Sequence, residues 1–224
     1  MNQPINETPV QIIINGRAAM TIMTSAEDPT DLVVGQLYTE RAIETYADIT
    51  SMHTDGTQTS VVTTNPFEIL LSRKTVLAGC GGASSFLDSG RLGHIASDLA
   101  VSAEQIRSSA THLPETCWHS GALFTEEGRL LVAVTDLTSQ NVADQIIGWG
   151  LAHSTIFEKT YLLISGNIVA ETVRKAVIAK IPLLITDAEI TTAAVATADD
   201  AGMTLCKLVE DTVISHTRSN HCIL

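Results

Sequence analysis

The chain has 224 residues, 45% hydrophobic and 17% charged, so it can bury a core as one large domain or two small ones. Its formal net charge of −12, with thirteen scattered Lys and Arg residues, argues against nucleic-acid binding, which needs clustered positive charge. It contains no run of eighteen apolar residues and no signal-peptide pattern, so we expect no membrane association and a cytoplasmic location.

The first third of the chain predicts strands and one helix. Residues 10–14 and 17–23 are β-like runs joined by Asn15-Gly16, a strong signal for a two-residue hairpin turn. Asp28-Pro29 marks the start of a helix that is predicted to extend to residue 42. Further short strands are predicted over residues 49–52, 60–64 and 67–72. Together these elements indicate a small α+β domain over residues 1–75.

Residues 76–101 change in character, because Gly, Ala and Ser dominate and the segment reads as a mobile connector. Cys80 lies here between Gly79 and Gly81, where neighbouring side chains offer little cover for its sulfur. A packing cysteine usually has larger apolar neighbours, whereas a reactive thiol needs access. The spacings of the four cysteines fit no disulfide framework and no C-x-x-C zinc pair, so we expect reduced thiols and no metal site.

Residues 102–224 predict a second domain. Ser102 and Gln105 form a capping box for a helix ending near residue 112. Strands and helices then alternate, which indicates a mixed sheet with helices on both faces and parallel later strands. The predicted strands are 118–124, 130–135, 161–165, 183–186 and 204–208, and the predicted helices are 139–152, 168–180 and 189–201.

In sheets of this kind ligands bind beyond the carboxyl ends of the strands, so the loops there supply the candidate residues. Each candidate also has a structural interpretation. Ser165-Gly166 can be a tight turn, Asp136 an N-cap and His119 a core histidine, while Asn141 and Asp144 can lie on a solvated helix face. Glu171 and Lys175, four positions apart, can form an ordinary helix-stabilising pair. Cys206, in an apolar strand, is interpreted as a packing residue.

Several of these segments occur in an order that resembles the FdhD/NarQ family of formate dehydrogenase accessory proteins. The resemblance covers nearly the whole chain, although no single motif is specific by itself. Its parts are Asn15-Gly16 to Met23, Asp28-Pro29 with Gly35, Gly79-Cys80-Gly81, His119, Asp136 to Gly148, Ser165-Gly166 with Glu171 and Lys175, and Gly202 with Thr204-Leu205.

The resemblance implies an α/β protein, α+β overall, with a small N-terminal α+β domain and a C-terminal cytidine-deaminase-like three-layer α/β/α domain. It also implies a sulfurtransferase-type carrier in the maturation of formate dehydrogenase. Such a carrier receives persulfide sulfur from a cysteine desulfurase and passes it to the molybdenum of a bis-guanine-dinucleotide pterin cofactor. The implied partners are the desulfurase and apo formate dehydrogenase or a related molybdoenzyme, and a homodimer is compatible with the composition.

In this interpretation Cys80 carries the sulfur, since the family loop that reads C-G-x-C-G corresponds to Cys80-Gly81-Gly82-Ala83. One thiol suffices for a persulfide in principle. The residues expected to bind the cofactor are His119, Asp136, Asn141, Asp144, Ser165, Gly166, Asn167 and Glu171.

A second interpretation is a non-catalytic paralogue that binds a cofactor or nucleotide without moving sulfur. It rests on Ala83, which replaces the second cysteine of the family loop, and on family basic residues that are absent here. A third, an enzyme acting on a small nucleotide-like molecule, lacks an identifiable general base. Zinc deaminase chemistry is not supported, because the chain has neither H-x-E nor P-C-x-x-C.

Overall fold

The computed structural model describes residues 5–64, 92–115, 118–218 and 220–223. Within these residues the chain forms a four-stranded sheet, a six-stranded sheet and a two-stranded pairing, with helices packed against the two larger sheets. The predicted mixed α/β class is therefore confirmed. Cys80, the predicted strand at 67–72 and most of the predicted connector lie outside the described residues.

The N-terminal sheet begins with the predicted hairpin. Strands β1 (Thr8–Ile14) and β2 (Arg17–Thr24) are antiparallel, and Ile14 pairs with Arg17 across the turn. Asn15 and Gly16 have φ values of +50° and +77°. Positive φ at both central positions is the geometry of a type I′ turn, which explains why Asn-Gly serves there.

Strands β3 (Ile49–Asp55) and β4 (Gln58–Thr63) complete this sheet in the order β2-β1-β4-β3, with β1 parallel to β4. Helix α1 (Thr30–Thr39) covers one face. It begins one residue later than predicted, and the Asp28 side chain accepts a hydrogen bond from the Thr30 backbone N–H at 2.9 Å. The buried apolar side chains between them include Val10, Ile12, Ile14, Val33, Leu37 and Val61.

The six-stranded sheet has the order β11-β10-β9-β8-β6-β7. Strands β8, β9 and β10 are parallel to one another, whereas β6 is antiparallel to both β7 and β8. Its strands are β6 (His119–Thr125), β7 (Leu130–Asp136), β8 (Thr160–Ser165), β9 (Leu183–Thr186), β10 (Thr204–Val209) and β11 (Thr212–Ser215).

Helices pack on both faces of this sheet, as predicted. One face is covered by α3 (Ser139–Ala152), α4 (Ala170–Ile178) and α5 (Thr192–Asp200). The other face is covered by α2 (Ala103–Ala110) and by the pair of short strands β5 (Val101–Ser102) and β12 (Cys222–Ile223). Because both faces are covered, β8 and β9 consist largely of fully buried residues.

Three strands and two further helix starts differ from the prediction. β5, β11 and β12 were not predicted, because they are short and carry little periodicity. The starts predicted at residues 168 and 189 are too early. Ile168 and Ile190 form a parallel β-bridge, which holds both loops extended before the helices begin. Helix α5 starts after Thr191, whose side chain accepts a hydrogen bond from the Ala194 backbone N–H at 3.2 Å.

Helices α1 and α3 connect the two sheets through a close backbone crossing. A Cβ atom added at Gly35 would lie 1.8 Å from the Asp144 carbonyl oxygen, and one added at Gly148 would lie 1.9 Å from the Asp31 carbonyl oxygen. No side chain larger than hydrogen fits at either position. Among the described residues, no helix is long and apolar enough to cross a membrane.

Candidate functional site

One edge of the six-stranded sheet gathers most of the polar candidates. The parallel strands β8, β9 and β10 end there, and β6 begins there because it is antiparallel to β8. Ser120 pairs with Ser165, and His119 pairs with Asp136 at the end of β7. The predicted candidates His119, Asp136 and Ser165 are thus brought to the same edge.

A cavity of about 220 Å³ opens at this edge. Its apolar wall includes Leu163, Ile185 and Leu208, and its polar wall includes Ser165, Asp187 and Glu115. None of the described residues that line it carries a positive charge. Pockets that enclose a whole drug-sized ligand usually span roughly 300–1,000 Å³, so this one suits a single ring system.

Ser165 and Gly166 hold the carboxylate of Asp187. The Ser165 hydroxyl donates to Asp187 Oδ2 at 2.7 Å, and the Gly166 backbone N–H donates to Oδ1 at 3.2 Å. The next loop residue, Asn167, accepts a hydrogen bond from the Glu189 backbone N–H at 3.2 Å. The three predicted residues after β8 therefore join their loop to the loop after β9.

Asp187 was not among the predicted site residues. It follows directly after the strand at 183–186, a position that could have identified it, since ligand-binding residues of such sheets lie just beyond strand ends. Glu115 lies in the segment after α2 and had no comparable signal. The lining of the cavity thus includes two carboxylates, those of Asp187 and Glu115.

His119 packs directly on Gly166. A Cβ atom at Gly166 would lie 2.0 Å from His119 Nδ1, and Gly166 has a φ of +133° that favours glycine. Nδ1 is buried and, within the described part of the chain, has no hydrogen-bond partner. Burial lowers the pKa of His119, and the nearby Asp136 opposes this shift only in part. A buried polar atom without a partner is uncommon in folded proteins and marks a place where a ligand could bond.

Asp136 is fully buried and accepts hydrogen bonds on both carboxylate oxygens. Its side-chain donors come from the N-terminal sheet and from helix α3. They are Thr24 Oγ1 at 2.5 Å, Asn141 Nδ2 at 2.9 Å and Gln145 Nε2 at 2.5 Å. The N-cap of α3 is Thr138, so the N-cap interpretation of Asp136 is wrong.

Asn141 and Asp144 are 7% and 1% exposed, so the expectation that they lie on a solvated helix face is wrong. Asn141 Nδ2 also donates to the Met23 carbonyl oxygen at 2.7 Å. The Asp144 carboxylate accepts from Lys175 Nζ at 2.8 and 2.9 Å and from Thr39 Oγ1 at 2.9 Å. Burial raises the pKa of Asp144, although Lys175 opposes that shift. Both residues connect α3 to the N-terminal domain.

Glu171 forms its ion pair with Arg174, whose guanidinium also contacts Glu40 of the N-terminal domain at 2.5 Å. Lys175 lies 4.0 Å from Glu171 and much closer to Asp144, so the predicted Glu171–Lys175 pair is the weaker contact. Burial pushes the pKa of Glu171 up, and the two cations outweigh it, so the pKa lies below its ordinary value.

The predicted residues therefore fall into two sets. His119, Ser165, Gly166 and Asn167 lie at the sheet edge, where Ser165 lines the cavity. Asp136, Asn141 and Asp144 contact the N-terminal sheet or helix α1 directly, and Glu171 does so through Arg174. Among the described residues, no group of three or more His, Cys, Asp or Glu side chains is placed to hold a metal ion. The buried set has its polar atoms occupied by protein partners.

The sequence model of the FdhD/NarQ family matches residues 5–217. Proteins named sulfur carrier protein FdhD from Wolinella succinogenes and Sulfolobus acidocaldarius are 30% and 32% identical to the chain. The aligned regions cover 90% and 91% of this chain and 75% and 84% of those proteins.

A crystal structure shares the fold. It is that of a proposed formate dehydrogenase accessory protein from Desulfotalea psychrophila, with a TM-score of 0.77 and 20% sequence identity. The match covers 97% of this chain and 90% of that one. The agreement over such a length means that the two proteins share the overall fold.

Proposed function

Because the chain belongs to the FdhD/NarQ family, we propose that it is a sulfur carrier that serves the maturation of formate dehydrogenase. The observation that carries this proposal is the family match over residues 5–217, together with relatives of at least 30% identity that are named sulfur carrier proteins. The sulfur donor is a cysteine desulfurase, and the recipient is the molybdenum cofactor of apo formate dehydrogenase or a related molybdoenzyme.

Cys80 carries the sulfur in this proposal. Its thiolate attacks the terminal sulfur of the donor persulfide, forming a new S–S bond as the old one breaks and the donor cysteine leaves as a thiolate. The product is a persulfide on Cys80. The terminal sulfur then leaves toward an acceptor that supplies the electron pair for the new bond, and Cys80 returns to the thiolate state.

The cavity at the sheet edge receives part of the cofactor, which is a substrate rather than a resident group. Its volume suits one guanine base, and its negative charge disfavours the phosphates. Guanine presents two neighbouring N–H donors, which match the carboxylate of Asp187.

The buried candidates have a different role in this proposal. Asp136, Asn141, Asp144 and Glu171 do not touch the ligand, because their oxygens and amides already bond to the protein. They hold α3 and α4 against the N-terminal domain and so keep the sheet edge in place. Changes there would alter stability first and binding only as a consequence.

Sulfur loading on Cys80 tests the proposal. The protein is incubated with a cysteine desulfurase and cysteine, and intact and peptide mass spectrometry then locate added sulfur. We expect one added sulfur on Cys80 and none in Cys80→Ala, while Cys117→Ala is loaded like the natural protein. Absence of sulfur on Cys80, with an active desulfurase, would overturn the proposal.

A second candidate is a binding protein that holds a nucleotide or cofactor without carrying sulfur. It is favoured by Ala83, which stands in the cysteine loop where the family has a second cysteine. Calorimetric titration with guanosine and GDP separates the two candidates when combined with sulfur loading. Binding in both the natural protein and Cys80→Ala, without any sulfur loading, would favour the binding protein.

A further inference from the structure

Cys206 and Cys222 lie together in the core, although the chain separates them by a hairpin and a loop. Cys206 is in β10 and is 0% exposed, and Cys222 is in β12 and is 5% exposed. Both belong to the apolar cluster on the α2 face of the large sheet. Both cysteines are free. Neither thiol is used in the proposed sulfur transfer.

Neighbouring hydrogen bonds fix the strand that carries Cys222. It is paired with Val101 of β5, and the preceding His221 carbonyl accepts from the Val101 backbone N–H at 3.1 Å. The His221 ring bonds to Thr204 Oγ1 at 2.9 Å, two residues before Cys206. These bonds therefore hold Cys222 at a fixed place beside the strand that carries Cys206.

The two thiols differ in acidity. Interaction with Cys222, together with burial, raises the pKa of Cys206. The same interaction lowers the pKa of Cys222, although burial opposes the shift. Cys222 is thus the thiol that ionises first, and a thiolate is the form that attacks an oxidant.

Access to Cys222 requires only local opening. Strand β12 has two residues, and Ile223, next to Cys222, is 61% exposed. Short elements with few buried contacts open more readily than the core around them. Cys206, in the middle of the sheet, has no comparable route.

We propose that Cys206 and Cys222 are a site of oxidative modification that closes to an intramolecular disulfide when the protein meets a peroxide. The Cys222 thiolate attacks a peroxide oxygen, the O–O bond breaks, and Cys222 becomes a sulfenic acid while hydroxide leaves and takes up a proton. Cys206 then attacks the Cys222 sulfur, its proton passes to the departing hydroxyl, and water leaves. In total two thiols lose two electrons and hydrogen peroxide is reduced to two waters.

The disulfide would tie β12 to β10 by a covalent bond. Closing a loop of about 15 residues in the unfolded chain typically stabilises a protein of this size enough to raise its Tm by roughly 6–12 °C. Leu163 and Ile185 belong to the same apolar cluster and line the sheet-edge cavity. Oxidation would therefore stiffen the layer beneath that cavity.

The test uses a full-length Cys80→Ala/Cys117→Ala protein, in which only the pair remains. After treatment with hydrogen peroxide, we expect the intact mass to fall by two hydrogens and neither thiol to be alkylated after denaturation. Dithiothreitol should restore both thiols, and the Tm should rise on oxidation. Adding Cys206→Ala to this background should instead leave Cys222 to gain oxygen atoms.

Two results would overturn the proposal. One is that both thiols stay open to alkylation after peroxide treatment that oxidises a free-cysteine control. The other is that oxidation links two chains, which non-reducing electrophoresis detects. If the double variant fails to fold, peptide mapping of the oxidised natural protein decides instead, because only a Cys206–Cys222 cross-linked peptide supports the proposal.

Discussion

Gly35 of α1 and Gly148 of α3 face each other where the two helices cross, and the backbone nitrogen of Gly35 lies 2.8 Å from the place a Cβ of Gly148 would occupy. The crossing brings the two helix backbones into direct contact. Helix packing at ordinary distances would separate the axes by 8–10 Å with side chains between them. The two glycines therefore determine how closely helices α1 and α3 approach each other.

Gly35→Ala tests this contact. The added methyl would meet the Asp144 carbonyl at 1.8 Å, so the helices must move apart. We expect a loss of at least about 2 kcal/mol in the free energy of unfolding, measured by urea denaturation. Gly93→Ala is the matched control, because a Cβ there meets nothing within 4 Å. Equal stability of the two variants would contradict the interpretation.

The ion pair between Lys175 and Asp144 gives a second prediction. The side chains are 4% and 1% exposed, so removing one partner leaves a buried charge unpaired. Lys175→Met should cost about 3–5 kcal/mol in unfolding free energy, and Lys175→Met/Asp144→Leu should recover much of that loss. The exposed pair Lys180–Glu158 is the control, since Lys180→Met should change stability by less than about 1 kcal/mol. A double variant no more stable than Lys175→Met would argue against an uncompensated charge as the cause.

Asp187 provides a test of the base-binding part of the proposed function. Asp187→Asn removes the negative charge that would accept two N–H groups of guanine, so the Kd for guanosine should rise at least about tenfold. Adenosine lacks that pair of donors and should bind weakly to both proteins. The exposed Asp211→Asn is the control, because Asp211 does not line the cavity. An unchanged Kd for guanosine would remove Asp187 from the site.

Stability should depend on pH through two buried histidines. Burial lowers the pKa of both His119 and His221 below the ordinary value of 6.5. The unfolded chain then binds protons at a higher pH than the folded one, so stability falls as the pH drops through about 6.5 toward the folded pKa values. We expect a lower urea midpoint at about pH 5.5 than at about pH 7.5.

The control for this pH effect is a comparison of histidine variants. His119→Gln/His221→Gln should show a smaller change in urea midpoint between the two pH values than the natural protein. His53→Gln, which alters an exposed ring on β3, should keep the full change. A double variant with an undiminished pH effect would assign it to other groups.

Local signals in the sequence were sufficient for much of the fold. The Asn15-Gly16 turn and the Ser102 cap of α2 act within a few positions, and the hairpin and the helix over residues 139–152 were predicted correctly. Contacts between distant residues were not predictable in this way. Asp144 and Lys175 lie on different helices, and Asp144 looked like a surface residue because its partner is 31 positions away.

The same distinction between local signals and contacts of distant residues applies to the candidate site. The position of the loop after β8 at the sheet edge could be predicted, because the alternation of strands and helices in the sequence indicates the order of the strands. The burial of Asp136 did not follow, because it depends on Thr24 and Gln145, which come from another sheet and a helix. The free Nδ1 of His119 also depends on three-dimensional packing.

The contacts of α1 with α3 and α4 have a consequence for how a ligand would be received. Moving α1 away from these helices would uncover Lys175, Asp144 and Arg174 at once and break the glycine crossing, so such opening carries a large energetic penalty. A molecule that docked at the sheet edge would therefore spend little of its binding energy on rearranging these helices.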